Sequence, residues 1–306
     1  MLVKHVCRAA LLSATLTVMG SSAVAQTTGP DVVVTAEKEQ AAREAKEVRH
    51  FVTAIAAPAE GQFARFRAPI CPVAIGMHAE FADKIVARVR EVAAQIGADV
   101  GGTRCAANVL IILSPDGQAF VRDAQKKQPS LLSGLSNTEL KHLLAAPGPV
   151  HAWSGAEMRN EDGLQAHNSA SKTAGGADTM TFPDHPIMRV MSASIINQPV
   201  RQDIMTAVVV LDSDAVTGKS LTQIADYATM RALGRTRPPG DAVPYETILT
   251  LFDAGEAARV PSISPADLAF LTALYRTNGL QTATAATGQM AHGMLKRGRA
   301  ERDGEK

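Results

Sequence analysis

A polar stretch in the middle of the chain holds most of the side chains that could do chemistry. Its histidines and aspartates are His151, Asp162, His167, Asp178, Asp184 and His185. Such groups bind Zn²⁺ when a regular element presents them at fixed spacing, as two histidines four residues apart on a helix do. No pair here has that spacing on a predicted helix. The pattern therefore indicates scattered polar residues on a long loop over residues 159–186, and no metal site.

Two further arrangements are close to known catalytic motifs but are incomplete. Ser169, His185 and Asp178 could be assembled into a triad, yet the G-x-S-x-G turn that exposes a nucleophilic serine is missing. The residues from Thr217 to Ser220 read like the end of a phosphate-binding loop, but Ser213 stands where that motif needs its first glycine. A turn before a helix capped by Ser220 explains the same residues. We therefore predict no catalytic residue, no metal and no cofactor.

The N-terminus has the three parts of a cleavable signal peptide. Lys4, His5 and Arg8 precede an apolar run that is too short to span a bilayer, and Ala23-Val24-Ala25 is a typical cleavage site. We expect cleavage before Gln26, with residues 1–25 removed. The predicted location is the periplasm or the exterior, and no later run is apolar enough to insert into a membrane.

Export changes the charge and the cysteine count. The 31 basic residues include Lys4 and Arg8, and none of the 30 acidic residues lies in the signal, so the mature chain has a net charge near −1. This balance argues against a nucleic-acid binder. Cys71 and Cys105 remain as a pair in an oxidising compartment, where a structural disulfide is the favoured state. Paired catalytic or metal-binding thiols are the alternative.

The elements that must position these residues form a mixed pattern. Residues 70–75 and 108–113 read as strands, and apolar residues at helical spacing between Phe81 and Ile96 make a β-α-β unit with them. Capping boxes at Ser136 and Ser220 predict helix starts, and Ser264 followed by Pro265 predicts another. We read residues 150–158 and 207–211 as strands, 199–206 as a helical turn and 245–252 as a short helix or turn.

The fold predicted from this pattern is α+β (mixed α/β). A small β-α-β N-terminal part with a mixed sheet is followed by a helical half. Residues 26–47 read as an extended or disordered segment, 48–278 as a globular domain, and 279–306 as a disordered tail. A boundary between subdomains could fall in the 159–186 loop.

The apolar pattern from Leu221 to Tyr275 resembles the catalytic half of zincin-type metalloproteases. In that family a helix carries His-Glu-x-x-His just before a Leu-Gly pair. Aligned on Leu233-Gly234, those five positions hold Tyr227, Ala228, Thr229, Met230 and Arg231. Both histidines and the glutamate are absent, so the resemblance implies a zincin-like relative without catalytic zinc.

The segment after the signal resembles the energy-coupling box of TonB-dependent outer-membrane receptors. It runs through Asp31, Val32, Val33, Val34, Thr35 and Ala36. In those receptors the box adds as a strand to a partner's sheet, and β-branched valines favour that extended backbone. The resemblance implies an envelope partner bound by strand addition. A simple N-terminal strand or tether is the alternative.

The whole chain resembles a family of uncharacterised exported proteins from alphaproteobacteria. The shared features are the Val-Val-Val-Thr start, the region of Cys71 and Cys105, Pro147 to Val150 with Trp153, and Ile224 to Arg231. The resemblance implies location and architecture and supplies no activity. Together these observations predict an exported, non-catalytic binding or structural protein. The alternative is a hydrolase with a site near the 159–186 loop and the 220–233 helix.

Overall fold

The computed structural model describes residues 30–165, 197–253 and 260–304. The chain divides into two compact units, Met1–Ala41 and Ala42–Lys306, and the contacts below all lie in the second. The helices are α1 (Pro30–Ile55), α2 (Ala79–Gln95), α3 (Gly117–Lys127), α4 (Asn137–Ala145), α5 (Leu221–Leu233), α6 (Pro265–Arg276) and α7 (Ala283–Gly304). The strands are β1 (Arg65–Phe66), β2 (Pro72–Ile75), β3 (Val109–Ser114), β4 (Val150–Asn160) and β5 (Val200–Asp212).

A mixed sheet forms the centre of the second unit, as the sequence predicted. β5 pairs in parallel with β3, and β3 pairs in parallel with β2. β1 pairs in parallel with the first half of β5. On its other side β5 pairs with the antiparallel strand β4, which forms an edge of the sheet. The α/β class is therefore confirmed.

The two faces of the sheet bury different side chains because neighbouring residues of a strand point to opposite faces. Ile111, Val209 and Leu211 pack into the larger cluster, which includes residues of α1, α2, α5, α6 and α7. Ile112 and Val210 pack into a smaller cluster with residues of α3 and α4. Strands buried on both faces explain the continuous apolar runs of β3 and β5.

The predicted β-α-β unit is present, and a disulfide joins its two strands. β2, α2 and β3 follow one another, and Pro72 of β2 is paired with Val109 of β3. Cys71 and Cys105 are disulfide-bonded, with Cα atoms 5.9 Å apart. The bond therefore holds together the segments that lead into two neighbouring parallel strands. None of the described helices combines the length and the apolar character needed to cross a bilayer.

The predicted helix starts are confirmed in detail. Ser136, Ser220 and Ser264 each accept a hydrogen bond from the backbone N–H three residues later. In each case the side chain at that third position bonds back to the N–H of the serine, which completes a capping box. These boxes fix where α4, α5 and α6 begin.

Both terminal segments differ from the prediction of disorder. The expected extended segment 26–47 is helical from Pro30, as part of α1. Proline suits the first turn of a helix, and the Ala, Glu, Lys and Arg residues that follow are strong helix formers. The expected tail 279–306 instead forms α7, which buries Ala286, Met290, Ala291 and Met294. The sequence analysis did not recognise their helical spacing, because polar and small residues lie between them.

One shorter prediction was also wrong. Residues 199–206 were expected to form a helical turn, but β5 begins at Val200, because pairing with β4 extends the strand beyond its apolar half. A helix that the sequence analysis did not predict follows β3. This helix is α3, whose N-cap Asp116 accepts a hydrogen bond from the N–H of Ala119.

Candidate functional site

A cavity of about 530 Å³ lies along the outer edge of β4, where α4 and α5 approach the sheet from opposite faces. We call it the β4-edge cavity. Its chemically important lining residues are Glu139, His151, Trp153, Arg231, Arg235 and Arg237. The volume is within the range of small-molecule sites.

The helices around the cavity pack on opposite faces of the sheet. α4 packs on one face with α3, whereas α5 follows β5 and packs on the other. Among the described residues no strand pairs with the outer edge of β4 at residues 150–154, so this edge is left open between the two helices. β4 begins at the carboxyl end of β5, where Val150 is paired with Leu211.

His151 is the most unusual residue of the cavity. It lies in β4, two residues before Trp153, and is only 1 % exposed. Neither Nδ1 nor Nε2 has a hydrogen-bond partner in the described part of the chain. An unsatisfied buried polar group costs about 1–3 kcal/mol. A ligand in the cavity could supply the missing partners.

The surroundings of His151 keep its ring neutral. Burial lowers its pKa below the ordinary value of 6.5, and the charge of Arg231 acts in the same direction. Asp212 and Asp116 oppose this effect. Asp212 is already engaged, because its Oδ1 accepts a 2.7 Å hydrogen bond from the N–H of Gly117. A neutral imidazole can both accept and donate a hydrogen bond to a ligand.

Three arginines come from the end of α5 and the segment after it. Arg231 donates through Nε to the Thr236 carbonyl at 3.0 Å and through Nη1 to the Tyr227 hydroxyl at 2.8 Å. Arg237 donates to the carbonyls of Ala54 and Thr53. Within the described residues, Nη2 of Arg231 and Nη1 of Arg237 have no acceptor. These groups remain available to a ligand.

Arg235 closes one side of the cavity. It donates to the Ala57 carbonyl at 3.0 Å and to the Ser154 carbonyl on the outer edge of β4 at 2.9 Å. Its Nη2 also forms an ion pair with Glu139 of α4. Glu139 is the only carboxylate among the named lining residues, so the three arginines leave an excess of two positive charges.

The rest of the lining is apolar. Trp153 is buried and donates from Nε1 to the Leu131 carbonyl at 2.8 Å, which fixes the indole ring. Leu135 and Leu143 lie beside it. A cavity with an apolar wall and two excess positive charges suits an organic molecule that carries an anionic group.

The predicted partner-binding segment lies apart from this cavity in sequence and differs in conformation. Asp31, Val32, Val33, Val34 and Thr35 are in the first turns of α1. The structure therefore does not show the extended backbone that strand addition needs. The side chains of these residues lie outside the described part of the structure.

The positions aligned with the zincin motif are packing residues, with one exception. Tyr227 and Ala228 are buried in the larger core cluster, and Tyr227 packs edge-on against Phe252. Arg231 lines the β4-edge cavity. In residues 30–165, 197–253 and 260–304, no three His, Cys, Asp or Glu side chains lie close enough together to hold a metal.

The structure describes only some of the residues that belong to the incomplete catalytic and phosphate-binding motifs. Ser220 caps α5, and Lys219 donates to the Ala215 carbonyl at 2.8 Å, which agrees with the turn-and-cap interpretation. His167, Ser169, Asp178, Asp184 and His185 lie outside the described residues. Of the predicted 159–186 loop, only residues 159–165 are described.

Reasoning from the sequence passed over the residues that form the cavity. His151 was grouped with the polar loop, although it lies at the start of a strand between apolar neighbours. Glu139 was read only as a capping residue. The spacing of Arg231, Arg235 and Arg237 around the end of a capped helix was the available signal, because a helix end and its following turn can bring such residues to one side.

In comparisons with protein-family models, curated proteins and solved structures, nothing matches this chain. The resemblances to zincins and to exported alphaproteobacterial proteins therefore stay predictions. The case for a function rests on the chemistry of the cavity.

Proposed function

We propose that the protein is a non-catalytic binding protein that holds a small organic anion in the β4-edge cavity. The anionic group would lie near Arg231 and Arg237, and the apolar part near Trp153. His151 would hydrogen-bond to the ligand from the floor of the cavity. Each of these interactions uses a group that the described fold leaves without a partner or presents to the cavity.

One observation carries the proposal. His151 is 1 % exposed and neither of its ring nitrogens has a hydrogen-bond partner in the described chain, although the residue lines a cavity with excess positive charge. Buried polar groups are almost always hydrogen-bonded, by protein, water or ligand. The three arginines favour an anionic ligand over a neutral one.

Isothermal titration calorimetry with benzoate and benzamide tests the proposal. The two probes have the same shape, but only benzoate is charged. We expect saturable binding of benzoate and at least about tenfold weaker binding of benzamide, the loss typical of one charge-assisted hydrogen bond. Equal binding of the two probes, or no binding of benzoate, would contradict an anion site.

A matched pair of variants locates the binding. His151→Phe removes both nitrogens but keeps an aromatic ring, so the fold should be retained. We expect it to weaken benzoate binding by about tenfold. His50→Phe makes the same change at an exposed histidine of α1 and should bind as the wild type does. Unchanged affinity of His151→Phe would place the ligand elsewhere.

We also propose that the protein acts outside the cytoplasm. The Cys71–Cys105 disulfide supports this location, since such bonds persist in oxidising compartments. The charged start, apolar run and Ala23-Val24-Ala25 site support export through a cleaved signal. N-terminal sequencing of the protein from an envelope fraction should begin at Gln26. A mature form that keeps residues 1–25 in the cytoplasm would contradict export.

Strand addition to an envelope partner stays a prediction, and the helical structure of the segment adds a requirement to it. Because Asp31–Thr35 is helical in the structure, the first turns of α1 would have to unwind on binding. Deleting residues 31–36 and comparing cross-linked partners from intact envelopes tests it. An unchanged set of partners would contradict a role for this segment.

The hydrolase alternative would use a site near the 159–186 loop and the 220–233 helix, and residues 166–186 of that loop lie outside the described part of the chain. A purified sample that holds stoichiometric metal would favour it over the binding function. The benzoate titration is independent of this outcome, because benzoate contains no hydrolysable bond.

A further inference from the structure

A second group of arginines lies at the opposite end of β5 from the β4-edge cavity. Arg201 and Asp203 are on β5, Arg159 is on β4 and Arg67 follows β1. Arg159 and Arg201 are directly opposite each other across the two strands. With Asp203, the three arginines line a separate cavity of about 230 Å³. We call it the arginine cavity.

The single carboxylate in this lining cannot satisfy three guanidinium groups. Asp203 is buried and accepts hydrogen bonds from Nε of Arg201 at 3.0 and 3.2 Å. Arg67 and Arg159 reach it only as ion pairs, with N–O distances of 3.9 and 4.0 Å. Among the lining residues two positive charges therefore remain in excess, and Glu157 outside the lining offsets one of them through a 2.9 Å ion pair with Arg159.

The arginines also have hydrogen-bonding capacity that the protein does not use. Nε of Arg159 is buried and makes no hydrogen bond, although the two amino groups of this side chain donate to Gly163 and Glu157. In the described part of the chain Arg67 makes no hydrogen bond. Burial lowers the pKa of the Arg67 guanidinium, and the neighbouring charge of Arg201 lowers it further. Like charges held this closely favour a bound anion between them.

The size of the cavity restricts what that anion can be. A volume of about 230 Å³ leaves room for a small ion or for the anionic end of a larger molecule, and Arg67 is 36 % exposed at its opening. Guanidinium forks match the geometry of tetrahedral oxyanions, with paired N–H groups facing paired oxygens. Several forks around one space suit such an ion better than a neutral ligand.

We propose that the arginine cavity binds a tetrahedral oxyanion, a phosphate or sulfate group. Arg67 would close over the ion from the solvent side, and Arg159 and Arg201 would hold it from the strands. This site is separate from the β4-edge cavity and does not depend on the function proposed there.

The test is isothermal titration calorimetry, in which inorganic phosphate is added to the full mature chain at constant ionic strength. We expect saturable binding that Arg67→Gln weakens by about tenfold or more, the loss of one charge-assisted hydrogen bond. Arg67 makes no hydrogen bond to the described protein, so the variant should fold; its thermal unfolding without phosphate checks this.

Control variants separate this site from general surface charge and from the first cavity. Arg122→Gln removes an exposed arginine of α3 and should leave phosphate affinity unchanged. Arg237→Gln alters the β4-edge cavity and should also leave it unchanged. Phosphate binding that is absent, or that is equally tight in Arg67→Gln, would overturn the proposal whether or not benzoate binds.

A second probe identifies the source of the oxyanion. Phenyl phosphate carries the same group on an organic body. Tighter binding of phenyl phosphate than of inorganic phosphate would indicate the anionic end of a larger molecule, and the reverse order would indicate the free ion. Either order supports the site, provided that Arg67→Gln weakens both probes.

Discussion

Glu139 and Arg235 form an ion pair that joins α4 to the outer edge of β4. Glu139 also completes the capping box of α4, because its Oε2 accepts a 2.8 Å hydrogen bond from the N–H of Ser136. Burial would raise the pKa of Glu139, but the hydrogen bonds from Ser136 and the charge of Arg235 hold it below its ordinary value of 4.5. One carboxylate thus sets both the start of a helix and a wall of the cavity.

Replacing this carboxylate should affect stability and ligand binding in opposite directions. Glu139→Gln keeps a side chain that can complete a capping box, as Gln223 does for α5. It removes the ion pair, so we expect a loss of about 1 kcal/mol in the free energy of unfolding. It also raises the positive charge of the cavity, so benzoate should bind more tightly. Urea denaturation and calorimetry measure the two effects. Weaker benzoate binding would contradict the electrostatic role given to the arginines.

A buried ion pair connects α2 to α5. Asp226 is fully buried and accepts hydrogen bonds from Nε and Nη2 of Arg88 at 2.7 and 3.2 Å. It also accepts one from the N–H of Ile263 at 2.7 Å. Asp226→Ala leaves these donors unpaired, and we expect it to cost about 3 kcal/mol.

The control for Asp226→Ala is the substitution Glu80→Ala, which breaks an ion pair within α2. Glu80 pairs with Lys84 at 2.7 Å on the exposed surface, and Glu80→Ala should lower the free energy of unfolding much less than Asp226→Ala does. Denaturant unfolding of both variants makes the comparison. Similar losses for the two would show that Asp226 does not anchor α5 to α2.

Two adjacent glycines near the disulfide should respond differently to the same substitution. A Cβ on Gly101 would overlap Sγ of both Cys71 and Cys105, whereas a Cβ on Gly102 would meet nothing within 4 Å. We expect Gly101→Ala to cost about 1–3 kcal/mol through overpacking. Gly102→Ala should be neutral or slightly stabilising. Thermal unfolding measures both, and equal effects would contradict the close packing of Gly101 on the disulfide.

The lowered pKa of His151 predicts a specific pH dependence of stability. In the unfolded chain this histidine takes up a proton near pH 6.5, whereas burial keeps it neutral to lower pH in the folded state. The unfolded state then binds more protons, so stability falls as the pH drops below 6.5. His151→Phe should reduce this fall. Urea denaturation between pH 7 and pH 5 provides the test, and identical slopes for wild type and His151→Phe would be the contrary result.

Local sequence signals accounted for much of the fold. The capping boxes at Ser136 and Ser220, and Ser264 followed by Pro265, predicted three helix starts, because a cap is a hydrogen bond between near neighbours. The two apolar strands and the helix between them predicted the β-α-β unit. The disulfide was predicted from a pair of cysteines in a chain expected to be exported.

The parts that sequence reasoning missed depend on tertiary contacts. α7 has a weak apolar pattern, and small residues such as Ala286 and Ala291 become part of the core only when α6 packs against α7. β5 was read too short because its first half gains strand structure from β4. The β4-edge cavity combines residues from α4, β4 and the end of α5, which no single stretch of sequence brings together.

The central claim is that His151 hydrogen-bonds to a bound anion, and ring ¹⁵N NMR of the histidine tests it most directly. Long-range ¹H–¹⁵N spectra report the state of Nδ1 and Nε2 separately. Saturating benzoate should shift at least one nitrogen of His151, benzamide should shift it much less, and the ring nitrogens of His50 should not respond. Unchanged His151 nitrogens at a benzoate concentration that saturates the protein would contradict the account.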